Sequence, residues 1–238
     1  MNTPLRLYDL AGANDSWRFS PYCWRVRLAL AHKGLPVETL PWRFSEKEAI
    51  SFSQQGKVPV LVDGERCISD SWIIAEYLDR HYPERPSLMG DASLMAVTRF
   101  INQWVTEIVH PALARLILPD VFAVLHDKDK PYFQRTREAA FGLSLDKLAA
   151  QHDLFMKEFL GVLAPLRSTL SAQEYLAGAE PAYADHIAFS AFQWARVTSA
   201  QHLLDKADPI SVWCERMLKA YGGLAGSAAC AHPKPVPS

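Results

Sequence analysis

Paired cysteines are missing from this sequence. It has four, Cys23, Cys67, Cys214 and Cys230, and no two stand at the spacing of a redox dithiol or a metal-ligand pair. In a reducing compartment their default state is the free thiol. A Cys-x-His pair, Cys230 and His232, lies in a Pro-rich tail; two ligands there make a poor site, so no functional metal is expected. A basic surplus is missing too. The 25 Lys and Arg face 26 Asp and Glu, which leaves nothing to pull in phosphate backbones or anionic lipid. Neither nucleic acid nor a membrane surface is expected as a partner. No apolar run approaches the roughly 18–20 residues of a spanning helix. Met1-Asn2-Thr3-Pro4 lacks the basic start and apolar stretch of a secretory leader. These absences point to the cytoplasm. What is there is a chain of 238 residues, 49% hydrophobic and 21% charged, long enough for one large domain or two small ones.

The first third differs in texture from the rest. Leu5-Arg6-Leu7-Tyr8 is a short strand signal, followed by a polar loop through Gly12. Ser20 stands where a helix N-cap belongs and Pro21 at the first helical position. Cys23, Val26 and Leu30 recur at helical spacing and face inward, and Lys33-Gly34 closes the helix. Val37–Leu40 and Val58–Val62 read as strands. Asp63-Gly64 reads as a hairpin turn into Arg66–Ser69. A helix then runs from Ser71, capped from Ser69 or Asp70. The order is β-α-β-α-β-β-α. After Tyr82-Pro83-Glu84-Arg85-Pro86, a linker signal, the pattern is helical throughout. Phe100, Ile101, Trp104, Val105 and Ile108 form one expected stripe. Phe155, Phe159, Leu160 and Leu163 form another, and Ile187, Ala188, Ala191, Trp194 and Ala195 a third. Residues from about 224 on, rich in Ala, Pro and Gly, are expected to be loosely held.

The segment Ser20-Pro21-Tyr22-Cys23 reads as a glutaredoxin Cys-Pro-Tyr-Cys whose first cysteine has become serine. A cysteine there does disulfide chemistry itself; a serine hydrogen-bonds another molecule's sulfur. Ser20 to Arg27 resembles the serine motif of zeta-class glutathione transferases, which also runs into Trp-Arg-Val-Arg. Gly56-Lys57-Val58-Pro59-Val60-Leu61 resembles the strand that this superfamily opens with a cis-proline. Ser69 to Leu78 is similar to its acidic-Ser helix start. Together the three motifs resemble the cytosolic glutathione transferases over nearly the whole chain, to about residue 222. Within that family the finer likeness is to bacterial β-etherase-type enzymes, through Ser20-Pro21-Tyr22, Asp70-Ser71-Trp72, Tyr82 to Pro86, and Arg137-Glu138 with Phe141-Gly142. The resemblance implies a thioredoxin-like N-terminal domain with a mixed four-stranded sheet (1–83), a linker (84–93), an all-helical C-terminal domain (94–223) and a tail (224–238). It also implies glutathione as cosubstrate, a small hydrophobic electrophile, and a homodimer.

Residue by residue, the resemblance implies that Ser20, a helix cap, also hydrogen-bonds the glutathione sulfur. The sulfur would be held as thiolate by the free N–H groups and positive dipole end of that helix. A cis Val58-Pro59 bond, which the resemblance also implies, would turn the Val58 main chain outward, to pair with the glutathione backbone as an added strand does. Lys57 is then expected near the glycine carboxylate. Ser71 is expected to donate to the γ-glutamyl carboxylate at a second helix start, and Asp70 to accept from the α-ammonium. The acceptor pocket lies between the domains on the helix carrying Trp104 and His110. The rivals are Cys23, whose inward position favours core packing, and Tyr8, at the end of the first strand. Arg25 and Arg27 are either surface arginines or part of the frame. One departure stands out. The family begins a core helix with Ser or Thr three residues before a buried Asp, and here Ala182 precedes Asp185. The expected activity is attack of the thiolate on an electrophilic aromatic substrate, with β-aryl ether cleavage as its specific form. A zeta-like isomerase, a non-catalytic binding or stress protein, and a thiol reductase working through Cys23 are the alternatives.

Overall fold

The computed structural model describes residues 4–231; residues 1–3 and 232–238, with His232 of the tail pair, lie outside the described residues. Strands β1 (Leu5–Leu10), β2 (Val37–Trp42), β3 (Val60–Asp63) and β4 (Arg66–Ser69) form one sheet in the order β2-β1-β3-β4. β1 runs parallel to β2 and antiparallel to β3, and β3 is antiparallel to β4. The parallel pair needs a crossover, which helix α1 (Pro21–His32) supplies. The β3–β4 hairpin needs only a tight turn, and Gly64 makes it at φ 58°. β3 is apolar on both faces, Val60 and Leu61 being fully buried, as befits a strand covered on both sides. This is the expected thioredoxin-like unit with its mixed four-stranded sheet.

After helix α2 (Ser71–His81) the described chain is helical: α3 (Ala92–Trp104), a π-helical turn (Val105–Val109), α4 (His110–Val124), α5 (Lys130–Phe141), α6 (Leu145–Ala150), α7 (His152–Val162), α8 (Ala164–Ala172), α9 (Tyr183–Thr198) and α10 (Pro209–Gly223). α9 lies at the centre, buried along nearly its whole length, and α1 packs along it. α1 is itself buried almost all round, through Cys23, Trp24, Val26 and Leu30 among others. The Tyr183 hydroxyl on α9 donates to the Ser71 carbonyl at 2.6 Å, so the helical half grips the start of α2. Lys33 does more than close α1. Its side chain is buried, with Nζ 2.7 Å from Asp79 Oδ1 and donating to the Tyr82 carbonyl. Asp79 also accepts the N–H groups of Leu88 and Met89. A buried ion pair therefore fastens the proline linker to the end of α1.

Four expectations are corrected. The second helix of the β-α-β-α-β-β-α order is a 3-10 segment, Lys47–Ser53, kinked at Ile50. Ser53 Oγ donates back to the Ile50 carbonyl at 2.6 Å, a side-chain bond that competes with helix continuation. Of the first stripe only Val105 is buried; Phe100 is 72% exposed and Ile108 45%. The π turn adds a residue inside that run, so helical spacing loses phase across it. Between 224 and 231 the chain is held. Ala225 is buried, the Gln193 amide donates to its carbonyl, and Ala231 N–H donates to the Val197 carbonyl. Finally, the start of α9 is better braced than Ala182 suggests. Asp185 accepts the N–H groups of Ala182, Leu176 and Ala177 and the Trp213 indole N–H. Ala182 still contributes no side-chain cap, and its backbone is extended. Ala182→Ser is therefore expected to add about 1 kcal/mol, a rise in Tm of about 2–4 °C for a chain of this size. Thermal denaturation reads it, and an unchanged Tm would mean that Asp185 alone satisfies this helix start.

Candidate functional site

Ser20 sits between the end of the polar loop and α1, with extended-type backbone angles, φ −59° and ψ 123°. Its Oγ accepts the Cys23 N–H at 3.3 Å, and its carbonyl accepts the Trp24 N–H. Pro21 has no N–H to offer. The Tyr22 N–H is thus the free donor of the first turn among the described residues, beside the Ser20 O–H, whose acceptor role leaves its proton available. Behind the motif lies Asp9, fully buried and 3.6 Å from both Arg18 and Arg27. Burial pushes its carboxyl up, against the pull of the two guanidiniums. Arg27, stacked over Trp24, thus holds the strand end and lines neither of the two cavities at the helix start.

Two cavities meet at this helix start. One, of about 450 Å³, is bordered by Ser20, Phe44, His110, Arg137 and Trp194; the other, of about 580 Å³, by Arg25, Pro59, Asp70 and Ser71. Tyr22, Lys57, Val58 and Thr106 line both. Seven of the eight residues singled out from the sequence therefore stand on this joint surface. Ser20 and His110 are on the first cavity, Pro59, Asp70 and Ser71 on the second, and Lys57 and Val58 on both. Trp104 lines neither; it packs half-buried against the core, since the π turn separates its face of α3 from that of His110. The Val58–Pro59 bond is cis.

Asp70 caps α2, its Oδ1 accepting the N–H groups of Trp72 (2.8 Å) and Ile73 (3.1 Å). It does so at φ 75°, a left-handed backbone that costs a non-glycine residue about 1–3 kcal/mol and recurs at functional sites. Arg25 is no surface residue. It is 1% exposed, donates to Asn102 Oδ1 at 2.8 Å, stacks on Tyr22, and leaves Nη2 without a partner among the described residues. His110 and Trp194 lie edge to face, and His110 Nε2 and Trp194 Nε1 are likewise unpartnered among the described residues. Burial, with the nearby Arg25 cation, holds the His110 imidazole well below its ordinary value and so neutral near pH 7. The rivals fare differently. Cys23 is fully buried, and burial and then Asp9 push its thiol well up, which removes the thiolate that redox chemistry needs. Tyr8 packs against Phe52 and lines neither cavity.

A profile described as "Glutathione S-transferase, N-terminal domain" matches residues 16–86, and "Glutathione S-transferase, C-terminal domain" matches 96–217. The chain belongs to the glutathione S-transferase family. Among curated relatives it is 34% identical over 154 residues to a zeta-class glutathione S-transferase of Euphorbia esula, covering 62% of this chain and 65% of that one. It is 38% identical over 117 residues to glutathione S-transferase Z2 of Arabidopsis thaliana, covering 47% and 50%. The match thus spans between half and two-thirds of these relatives' length. Of solved structures, a glutathione S-transferase of Ceriporiopsis subvermispora in complex with glutathione aligns over 92% of this chain and 97% of its own, at TM-score 0.80 and 24% identity. GSTFuA3 of Phanerochaete chrysosporium aligns over 95% of each chain at TM-score 0.76 and 23% identity. These two likenesses establish the transferase fold.

The residues that sequence reading missed are Tyr22, Thr106, Arg137 and Trp194 as cavity walls. Trp194 stood in an apolar stripe and Arg137 in a family-like patch. Neither carried a local sign that it would face Ser20 from a distant helix.

Proposed function

We propose that this chain is a serine-type glutathione transferase. Glutathione lies in the cavity bordered by Asp70 and Ser71, and its sulfur reaches the Ser20 end. The observation that carries this reading is the joint surface itself: the capped, donor-rich start of α1 lies where the two cavities meet, and Lys57 and Val58 line both. Family membership supports it. In the glutathione cavity Ser71 and the start of α2 face the γ-glutamyl carboxylate, with the unpartnered Arg25 Nη2 adding a cation. Asp70 accepts from the α-ammonium, the Val58 main chain pairs with the cysteinyl backbone, and Lys57 faces the glycine carboxylate. At the sulfur, the Ser20 O–H, the Tyr22 N–H and the dipole of α1 all favour the thiolate over the thiol.

The bound thiolate attacks an electrophilic carbon of an aromatic substrate in the cavity bordered by His110 and Trp194. A carbon–sulfur bond forms as the bond to the leaving group breaks. For a β-aryl ether the leaving group is an aryloxide, which takes a proton from solvent. The protein supplies positioning and electrostatics. Among the described residues no helix is long and apolar enough to cross a membrane, and a cytoplasmic, glutathione-rich setting suits the reaction. A homodimer also fits. Val97 and Phe100 on α3 and Ile73 on α2 are exposed, and Arg99 joins the two helices through Glu76.

Incubation with glutathione and a nitro-activated chloroarene tests the reading. One chloride released per thiol lost supports it; binding of glutathione without any turnover across a panel of electrophiles would make the chain a binding protein. The zeta-class relatives favour a second reading, addition of the thiolate to a double bond followed by its return. In that case product forms with no net loss of thiol. For the glutathione cavity, Asp70→Asn keeps a good cap and removes the charge facing the ammonium. It is expected to raise the KM for glutathione about tenfold with Tm little changed. A KM at the wild-type value would leave Asp70 a cap alone.

A further inference from the structure

Arg137 is the residue that the reaction so far leaves unused. It lies on α5, half-buried, on the wall of the cavity that Ser20 enters. Its guanidinium carbon stands 5.1 Å from the Phe133 ring centroid and 5.9 Å from that of Phe44. The one hydrogen bond it makes among the described residues is a long one, Nη1 to the neighbouring Thr136 Oγ1 at 3.3 Å. No carboxylate pairs with it among the described residues. The acids of its own segment are engaged elsewhere. Glu138 accepts the Leu145 N–H and the Gln134 amide, and Asp129 accepts the N–H groups of Phe44 and Ser45. Aromatic faces compensate a guanidinium only in part, and a cation drawn out of water without a counter-charge is unfavourable. The cavity beside it is otherwise mostly apolar, with Phe44, Tyr132, Phe133, Phe141 and Trp194 on its wall. Lys57, also on that wall, is exposed and hydrated, and lacks the planar fork that matches a carboxylate.

We propose that the electrophilic substrate carries an aromatic carboxylate, which Arg137 pairs while the ring lies among Phe44, Phe133 and their neighbours. This deepens the transferase reading and rests on it. The unpartnered Trp194 indole N–H and the neutral His110 imidazole, on the same wall, suit an uncharged oxygen elsewhere on the substrate.

The test uses the full chain with a nitro-activated chlorobenzoate and the corresponding neutral benzamide, each enzymic rate divided by its uncatalysed rate with glutathione. It compares wild type, Arg137→Lys and Arg137→Met, with circular dichroism to verify folding. Calorimetry measures binding of the benzoate in the presence of S-methylglutathione, which cannot react. The expected result is a benzoate preference in wild type that falls about ten- to hundredfold in Arg137→Met, with Arg137→Lys between. Turnover of both substrates without that preference, or a preference that survives in Arg137→Met, overturns the carboxylate inference and leaves the transferase reading standing. If neither substrate turns over yet benzoate binding is lost in Arg137→Met, the anion site stands and the conjugation reading falls. No turnover and no Arg137-dependent binding overturns both.

Discussion

Replacing Ser20 by alanine is expected to lower kcat/KM for conjugation about a hundredfold. Removal of one donor from a developing or stabilised anion costs about 10²–10³ in rate when the donor is preorganised. Ser20 is held in that way: its Oγ accepts the Cys23 N–H, and it is only 5% exposed. Alanine also removes a helix cap, at about 0.5–2 kcal/mol, so loss of activity could be mistaken for loss of structure. Glycine separates the two roles. Ser20→Gly costs the cap only a few tenths of a kcal/mol, yet removes the hydroxyl as completely. Activity falling equally in Ser20→Ala and Ser20→Gly, with Tm lowered mainly in the first, assigns the chemistry to the hydroxyl. Near wild-type activity in Ser20→Gly would transfer it to the Tyr22 N–H and the dipole of α1.

The largest stability effect is expected at Asp185. Its two carboxylate oxygens accept three backbone N–H groups and the Trp213 indole, in a site with no exposure. Asp185→Ala leaves the buried Trp213 indole N–H and three part-buried backbone N–H groups unpaired. Each orphaned donor costs about 1–3 kcal/mol before relaxation and water entry, so a loss of about 4–5 kcal/mol is expected, at the extreme of single substitutions. Against a typical total of about 5–15 kcal/mol this threatens the fold, starting with α9, which α1 and the α2 start both depend on. Asp185→Asn retains one oxygen acceptor and is expected to lose less. Urea unfolding of both variants gives the comparison; a loss below about 1 kcal/mol for Asp185→Ala would mean that the network is not what fixes this helix.

The motifs at Ser20, Val58-Pro59 and Asp70-Ser71 were legible in the sequence because each is local. A cap, a following proline or an acidic-Ser start is written within a few residues, and the parallel and antiparallel pairings follow from connection lengths. What was not legible depends on distance. Trp194 and Arg137 reach the cavity of His110 from α9 and α5, and no pattern in a single helix encodes that meeting. Trp104 and the Phe100 stripe misled for two reasons: a π turn breaks the spacing, and an exposed apolar face carries the same periodicity as a buried one. Lys33 looked like a helix-end cation because its partner, Asp79, lies 46 positions further on. The 3-10 segment at Lys47–Ser53 failed as an α-helix through its own serine, and residues 224–231 were judged by composition, although Gln193 and Arg196 hold the Ala225 and Gly226 carbonyls.

The measurement that tests the central claim most directly is the ultraviolet absorbance of the thiolate of protein-bound glutathione, followed across pH in wild type and in Ser20→Ala. Thiols at helix N-termini ionise well below the ordinary value of about 8.5, often below about 7.5. The account predicts a thiolate in wild type near neutral pH, with a midpoint that rises by at least about one unit in Ser20→Ala. A midpoint that is the same in both proteins would contradict it, and would leave Ser20 as the cap of α1 and nothing more.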